Sequence, residues 1–186
     1  MSCVRTNTEK MKIIGIYTPV GRCLQTTFSF ALGQILSKKA KVLYMNFERY
    51  SGLEALLKRS FQYDISDLVY YFQCAKEKLS LRLSSIVENI HGLDFVPPVQ
   101  LYQSILGVHG QQWIELFAEI EKCSDYEYLI LDLTDGVADL WDILRRCKNE
   151  YTNNRVDGVS LAKMNQYERG LRTIVYEEKK KKTRKI

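Results

Sequence analysis

Lys12–Thr27, reading Lys-Ile-Ile-Gly-Ile-Tyr-Thr-Pro-Val-Gly-Arg-Cys-Leu-Gln-Thr-Thr, constrains the fold more than any other stretch of this chain. An apolar, β-branched run enters a short loop, and the amphipathic segment Phe28–Leu36 follows. A buried strand that turns into a helix N-terminus is the layout of a phosphate-binding loop, where backbone amides and the helix dipole face an anion. Most of the side chains that do chemistry in such loops are missing. In the pattern G-x-x-x-x-G-K-[ST] the four specified positions are Pro19, Leu24, Gln25 and Thr26, and only Thr26 conforms. Two readings stand side by side: a phosphate loop stripped of its chemistry, or an ordinary strand-turn-helix. Taken alone, the loop favours the second.

The remaining pattern alternates strands with helices. Lys12–Tyr17 and Lys41–Phe47 read as buried strands, with a turn at Ser51-Gly52 and a short helix to about Lys58. Asp64–Ala75 and Leu79–Ile90 read as helices, although Leu79, Leu81 and Leu83 also fit a strand. His91-Gly92 breaks the pattern before a short strand, Leu93–Val96, which Pro97-Pro98 stops. Trp113, Leu116, Phe117 and Ile120 have helical spacing, Tyr128–Leu133 is the strongest strand, and Leu140, Ile143, Leu144 and Cys147 mark another helix. Lys148–Asp157 is polar and predicts at best an exposed strand, and Leu161, Met164, Tyr167 and Leu171 make the last helix. This order predicts an α/β fold with a three-layer, doubly wound, mostly parallel sheet.

Composition bounds the function. With 186 residues, 46% apolar and 26% charged, the chain suits a single globular domain with a substantial core. No apolar run approaches the length needed to span a bilayer. The five cysteines are dispersed without a C-x-x-C pair, a pattern expected of reduced thiols in a cytoplasmic protein. The net charge of +5 is concentrated at one end, because Lys179–Ile186 carries six basic residues and no acid. Without that segment, 21 basic residues face 22 acidic ones, so the body is close to neutral. The expected organisation is a flexible leader over 1–11, an α/β domain over 12–172 and a basic tail over 173–186.

Two further positions fall where such a fold gathers chemistry, beyond the carboxyl ends of its strands. Glu48 follows the second strand and suits a water-orienting carboxylate or a solvated strand end. Asp132 ends the strongest strand, four residues before Gly136, and suits either a carboxylate holding Mg²⁺ through water or a cap for the next helix.

In this order the three positions resemble the ParA/MinD-like ATPases with a deviant Walker motif (P-loop NTPases of the SIMIBI type). Within these, the resemblance is to the CpaE/TadZ branch, which helps place pili or secretion machinery at the cell pole. Family members carry K-G-G-x-G-K-[ST]-T, against which this chain reads Val20-Gly21-Arg22-Cys23-Leu24-Gln25-Thr26-Thr27. Gly21, Thr26 and Thr27 match; Val20 and Gln25 replace lysines, and Arg22 and Leu24 replace glycines. The family's D-x-D falls on Asn46 and Glu48, and its D-x-x-x-G on Asp132–Gly136. Phe95–Pro98 and Asp157–Met164 also look like the TadZ-type branch. The resemblance spans residues 12–172; the ten polar residues before it are not expected to form the receiver-like domain usual in the TadZ-like proteins, and the hydrophobic strand that the family has before Asp157 is replaced by polar residues.

The resemblance implies that Gly21, Arg22, Cys23, Leu24, Gln25, Thr26 and Thr27 surround ATP or ADP. It implies Thr26 and Asp132 as magnesium ligands, Glu48 as the catalytic carboxylate, and a homodimer or a heterodimer with an intact homologue. Uncharged Gln25 in place of lysine removes a charge-assisted contact worth about 1.5–3 kcal/mol. The expectation is therefore a spatial regulator or scaffold with weak or no hydrolysis, set against a working ATPase. Lys179–Lys185 suits electrostatic contact with an anionic membrane, at about 1 kcal/mol per basic residue, or with nucleic acid phosphates. It equally suits a solvated end, and a nucleic-acid-binding partition protein is the third reading. The expected location is cytoplasmic, peripheral at the inner face of the membrane.

Overall fold

The computed structural model describes residues 10–183, with side chains described to Thr173. Strands β1 (Lys12–Ile16), β2 (Val42–Asn46), β3 (Glu88–Ile90), β4 (Leu93–Val96), β5 (Tyr128–Asp132) and β6 (Asn149–Tyr151) form one sheet in the order β3-β4-β2-β5-β1-β6. All neighbours are parallel except β3 and β4. Helices α1 (Gln25–Leu36), α2 (Leu53–Leu57), α3 (Ile65–Cys74), α4 (Leu79–Ile86), α5 (Gly110–Cys123), α6 (Leu140–Leu144) and α7 (Gly158–Thr183) connect and flank it.

The strand period of two divides the core. Ile14, Ile16, Val42, Tyr44, Phe95 and Ile130 face one side, against Phe30, Leu32 and Leu36 of α1 and Leu53 of α2. Leu43, Met45, Val96, Leu129 and Leu131 face the other, against α3, α4, α5 and α6. This is the expected three-layer architecture. Gly33 lets α1 approach β4, because a Cβ there would stand 2.8 Å from Leu93 Cδ2.

Three elements differ from the sequence reading. Helix α1 starts at Gln25, three residues before the apolar pattern shows it. The expected helix over 79–90 stops at Ile86, and Glu88–Ile90 returns as β3. His91 (φ 50°) and Gly92 (φ 86°) make the two-residue turn between β3 and β4, where paired positive φ values match hairpin twist. Helix α7 continues unbroken past residue 172, so the backbone of the basic segment is helical through Thr183. The leader expected over 1–11 lies outside the described residues up to Glu9; Met11 is buried and donates its N–H to Glu121 Oε1 at 2.7 Å. Residues 149–151, in a stretch that reads as a poor strand, form a short exposed edge strand.

Helix α3 shows how a single acid fixes the layer. Asp64 is 7% exposed; its Oδ1 accepts from Ser66 N (2.6 Å), and its Oδ2 accepts from Gln100 N (3.0 Å). Its own N–H donates to Asp67 Oδ2 at 2.9 Å, closing a capping box. Asp64→Ala removes a cap worth about 1 kcal/mol and orphans the Gln100 amide at a further cost of about 1–2 kcal/mol. Urea unfolding should therefore show a loss of about 2–3 kcal/mol, with Asp64→Asn losing less.

Candidate functional site

The chain passes from β1 through α1 to β2 while leaving a gap that β5 later fills, so the carboxyl ends of three strands converge. Asp132 lies across from Ile16 on one side and Asn46 on the other. Leu133 N donates to Ile16 O and Phe47 N to Asp132 O, both at 2.8 Å, which holds the three strand ends rigidly together.

Asp132 is fully buried and meets four donors. Gln25 Nε2 donates to its Oδ1 at 2.5 Å. Its Oδ2 accepts from Ser29 Oγ at 2.8 Å, and from Tyr44 OH and Asn46 Nδ2 at 2.9 Å each. Every one of these donors is uncharged. Burial, and then the Asp132 charge, push the Tyr44 phenol well above its ordinary pKa, which keeps it a donor. Asn46 Oδ1 accepts from Glu48 N at 2.9 Å, which orients the Asn46 amide. Among the described residues no buried side-chain polar atom is left without a partner.

Gln25, in the lysine position of the resembled pattern, is turned inward. Besides Asp132, its Nε2 reaches Leu133 O (2.8 Å) and Ile16 O (3.3 Å). The loop backbone is nonetheless bent like a glycine loop. Arg22 (φ 59°) and Leu24 (φ 56°), the two glycine replacements, both hold left-handed conformations. That conformation costs an L-residue about 1–2 kcal/mol. Gly21, which sequence reasoning left as the turning residue, has no positive φ. Asn153 Nδ2 steadies the loop by donating to Cys23 O at 3.1 Å, and Thr18 Oγ1 donates to Asn153 O at 2.6 Å.

A cavity of about 340 Å³ opens above the loop, lined by Thr18, Val20–Thr27, Glu48, Leu133 and Thr134. All seven expected nucleotide-contacting residues and Glu48 therefore meet there. Asp132 does not line it. Burial raises the Glu48 pKa, the Asp132 charge raises it further, and a hydrogen bond from Thr26 lowers it. The expected magnesium pair does not fit: Thr26 serves Glu48, and Asp132 has both oxygens committed to the interior. The chemistry left in the cavity is the amide-lined helix start, the Arg22 guanidinium and a half-buried acid.

Ser29 and Tyr44 are the site members that sequence reasoning missed. The available signal was periodicity, since Tyr44 and Asn46 share a strand face and Ser29 follows Gln25 by one helical turn.

Two outcomes follow from this geometry. Asn46→Asp places a second carboxylate beside Asp132 without a cation and should cost about 3 kcal/mol or more in denaturant unfolding. Adding Gln25→Lys should recover a large part of that loss, and additive losses would break the assignment. Glu48, with a raised folded pKa, holds more protons folded than unfolded between the ordinary carboxylate value and its own. Its ionisation therefore lowers stability as pH rises. Glu48→Gln should raise the melting temperature at pH 7, and that gain should vanish below about pH 4, where both states are protonated.

No protein-family model matches the chain, and no curated protein sequence matches it. Solved structures do. A plasmid partition protein from Borrelia burgdorferi bound to AMPPNP superposes with a TM-score of 0.65 at 16% identity, covering 89% of this chain and 71% of that one. For a ParA family ATPase from Chlorobium tepidum the TM-score is 0.67 at 17% identity, over 86% of this chain and 66% of that one. For the MinD cell division protein of Aquifex aeolicus it is 0.61 at 18%, over 87% of this chain and 64% of that one. The chain thus spans about two thirds of the length of these proteins, and its fold is that of the ParA- and MinD-type P-loop NTPases.

Proposed function

We propose that this chain is a degenerate ParA/MinD/TadZ-like protein, a spatial regulator or scaffold that works by protein–protein contact with weak or no ATP hydrolysis. The observation that carries the reading is Gln25 turned onto Asp132. The side chain in the lysine position of the resembled pattern is uncharged and bonded to the protein interior. A nucleotide would have to break those bonds, and it would gain no lysine and no magnesium ligand in exchange.

The loop's rim suits a protein partner. Leu24 is 74% exposed and Val156 98% exposed. The exposed rings of Phe28 and Tyr151 meet at 6.0 Å between them. We assign the partner to a second copy or an intact homologue, and the machine served to a pilus or secretion apparatus. Support for the machine is the likeness of Phe95–Pro98 and Asp157–Met164 to the TadZ-type branch. The cytoplasmic face of the membrane is the proposed location. No described helix is long and apolar enough to cross a bilayer.

Thermal unfolding in millimolar MgATP or MgADP tests the nucleotide half. Bound ligand at 100 times its Kd would add about 2.7 kcal/mol of stability. The expected result is no shift and no phosphate release, and turnover would establish the working ATPase instead. Gln25→Lys with Leu24→Gly should create a nucleotide-dependent shift; failure to do so would count against the loop alignment. Sedimentation velocity, alone and with an intact homologue, tests the partner half. A complex abolished by Leu24→Glu with Val156→Glu is expected, and a monomer in both samples would end the scaffold reading.

A further inference from the structure

A second cavity lies at the opposite end of the sheet and is larger than the one above the loop. It encloses about 430 Å³ between the start of β1, the outer face of α5 and the turn joining α6 to β6. Volumes of a few hundred Å³ are those of small-ligand pockets. The two cavities are separated by the length of β1, about 15 Å for a five-residue strand.

Its wall is amphipathic. Met11, Ile13 and Phe117 provide an apolar floor, with Phe117 and Met11 buried in the core. Lys10, Arg146 and Lys148 stand on the rim, all exposed. None of the three has a carboxylate partner among the described residues. Glu121 is the one acid lining the cavity, and its Oε1 already accepts from Met11 N. Lys12 also lines the wall, with its ammonium over the Tyr128 ring at 5.5 Å. The rim is fixed to the sheet, because Lys148 N donates to Ile13 O at 2.8 Å. Three convergent cations above an apolar floor match one kind of ligand, an apolar body that carries a multiply charged anion.

We propose that this cleft binds a phosphate monoester of an aromatic or aliphatic body, with Arg146, Lys148 and Lys10 meeting the phosphate and Phe117 and Ile13 meeting the body. The site is independent of the loop above Gln25. Arg146 is the principal phosphate contact, since its planar fork can meet two oxygens at once.

1-Naphthyl phosphate is the probe, titrated into the full-length protein and followed by amide and methyl chemical shifts. The expected result is saturable binding with shifts at Met11, Ile13, Ile114 and Lys148 and none over Val20–Thr27. Inorganic phosphate, which lacks the body, and 1-naphthol, which lacks the charge, should each bind at least tenfold more weakly. Arg146→Glu with Lys148→Glu changes two exposed side chains and should weaken the probe at least tenfold while the melting temperature holds. Affinity should also fall as salt rises. No saturation at millimolar probe, shifts confined to the loop, or unchanged affinity in the double variant would each overturn the proposal.

Discussion

The loop, the sheet centre and the first helix all depend on one buried carboxylate. Removing a carboxylate from water costs several kcal/mol, and the cost is offset only where its lone pairs are met. Asp132 meets that demand with neutral donors from α1 and β2, where a cation would be the stronger partner. The first turns of α1 are therefore held against β2 and β5 by the same atoms that a nucleotide loop would leave for ligand and metal. The buried carboxylate beneath the candidate site is also the polar centre of the fold.

The backbone and the side chains of the loop tell different stories. Arg22 and Leu24 keep a left-handed backbone that glycine would adopt without strain. The strain persists because both flanks are over-determined: α1 begins at Gln25, and Asn153, in the segment after β6, holds Cys23 O. The two non-glycine residues in that region, separated by Cys23, fall where the resembled pattern carries glycine. The backbone thus keeps the bend of a glycine loop, while Gln25, in the lysine position of the resembled pattern, is committed to the interior.

Much of this was legible along the chain. Continuous apolar runs at residues 12–17, 41–47 and 128–133 marked the central strands as buried on both faces, and strand–helix alternation marked the parallel sheet. The convergence of Asn46, Glu48, Asp132 and the loop followed from where such sheets bring strand ends together. The inward turn of Gln25 was not legible, because its acceptor lies 107 residues away and nothing local marks the pair. Strand β3 was hidden because Leu79–Ile90 carries a helical stripe, and only pairing with β4 decides its last three residues. The basic cleft beneath α5 draws on three distant segments, none of which has a motif of its own.

The two charge changes in the centre are best understood together. Against the resembled pattern, lysine becomes Gln25 and the first aspartate of the D-x-D pair becomes Asn46, so one positive and one negative charge disappear from the same cluster. Losing the lysine alone would leave two carboxylates facing each other inside the protein, where like charges are least screened. Losing the aspartate alone would leave the lysine one carboxylate short. Losing both yields two amides that can each donate to Asp132, and those are the hydrogen bonds present. The neutral network is therefore internally consistent. The fold's polar centre is thus paired by the chain's own side chains alone.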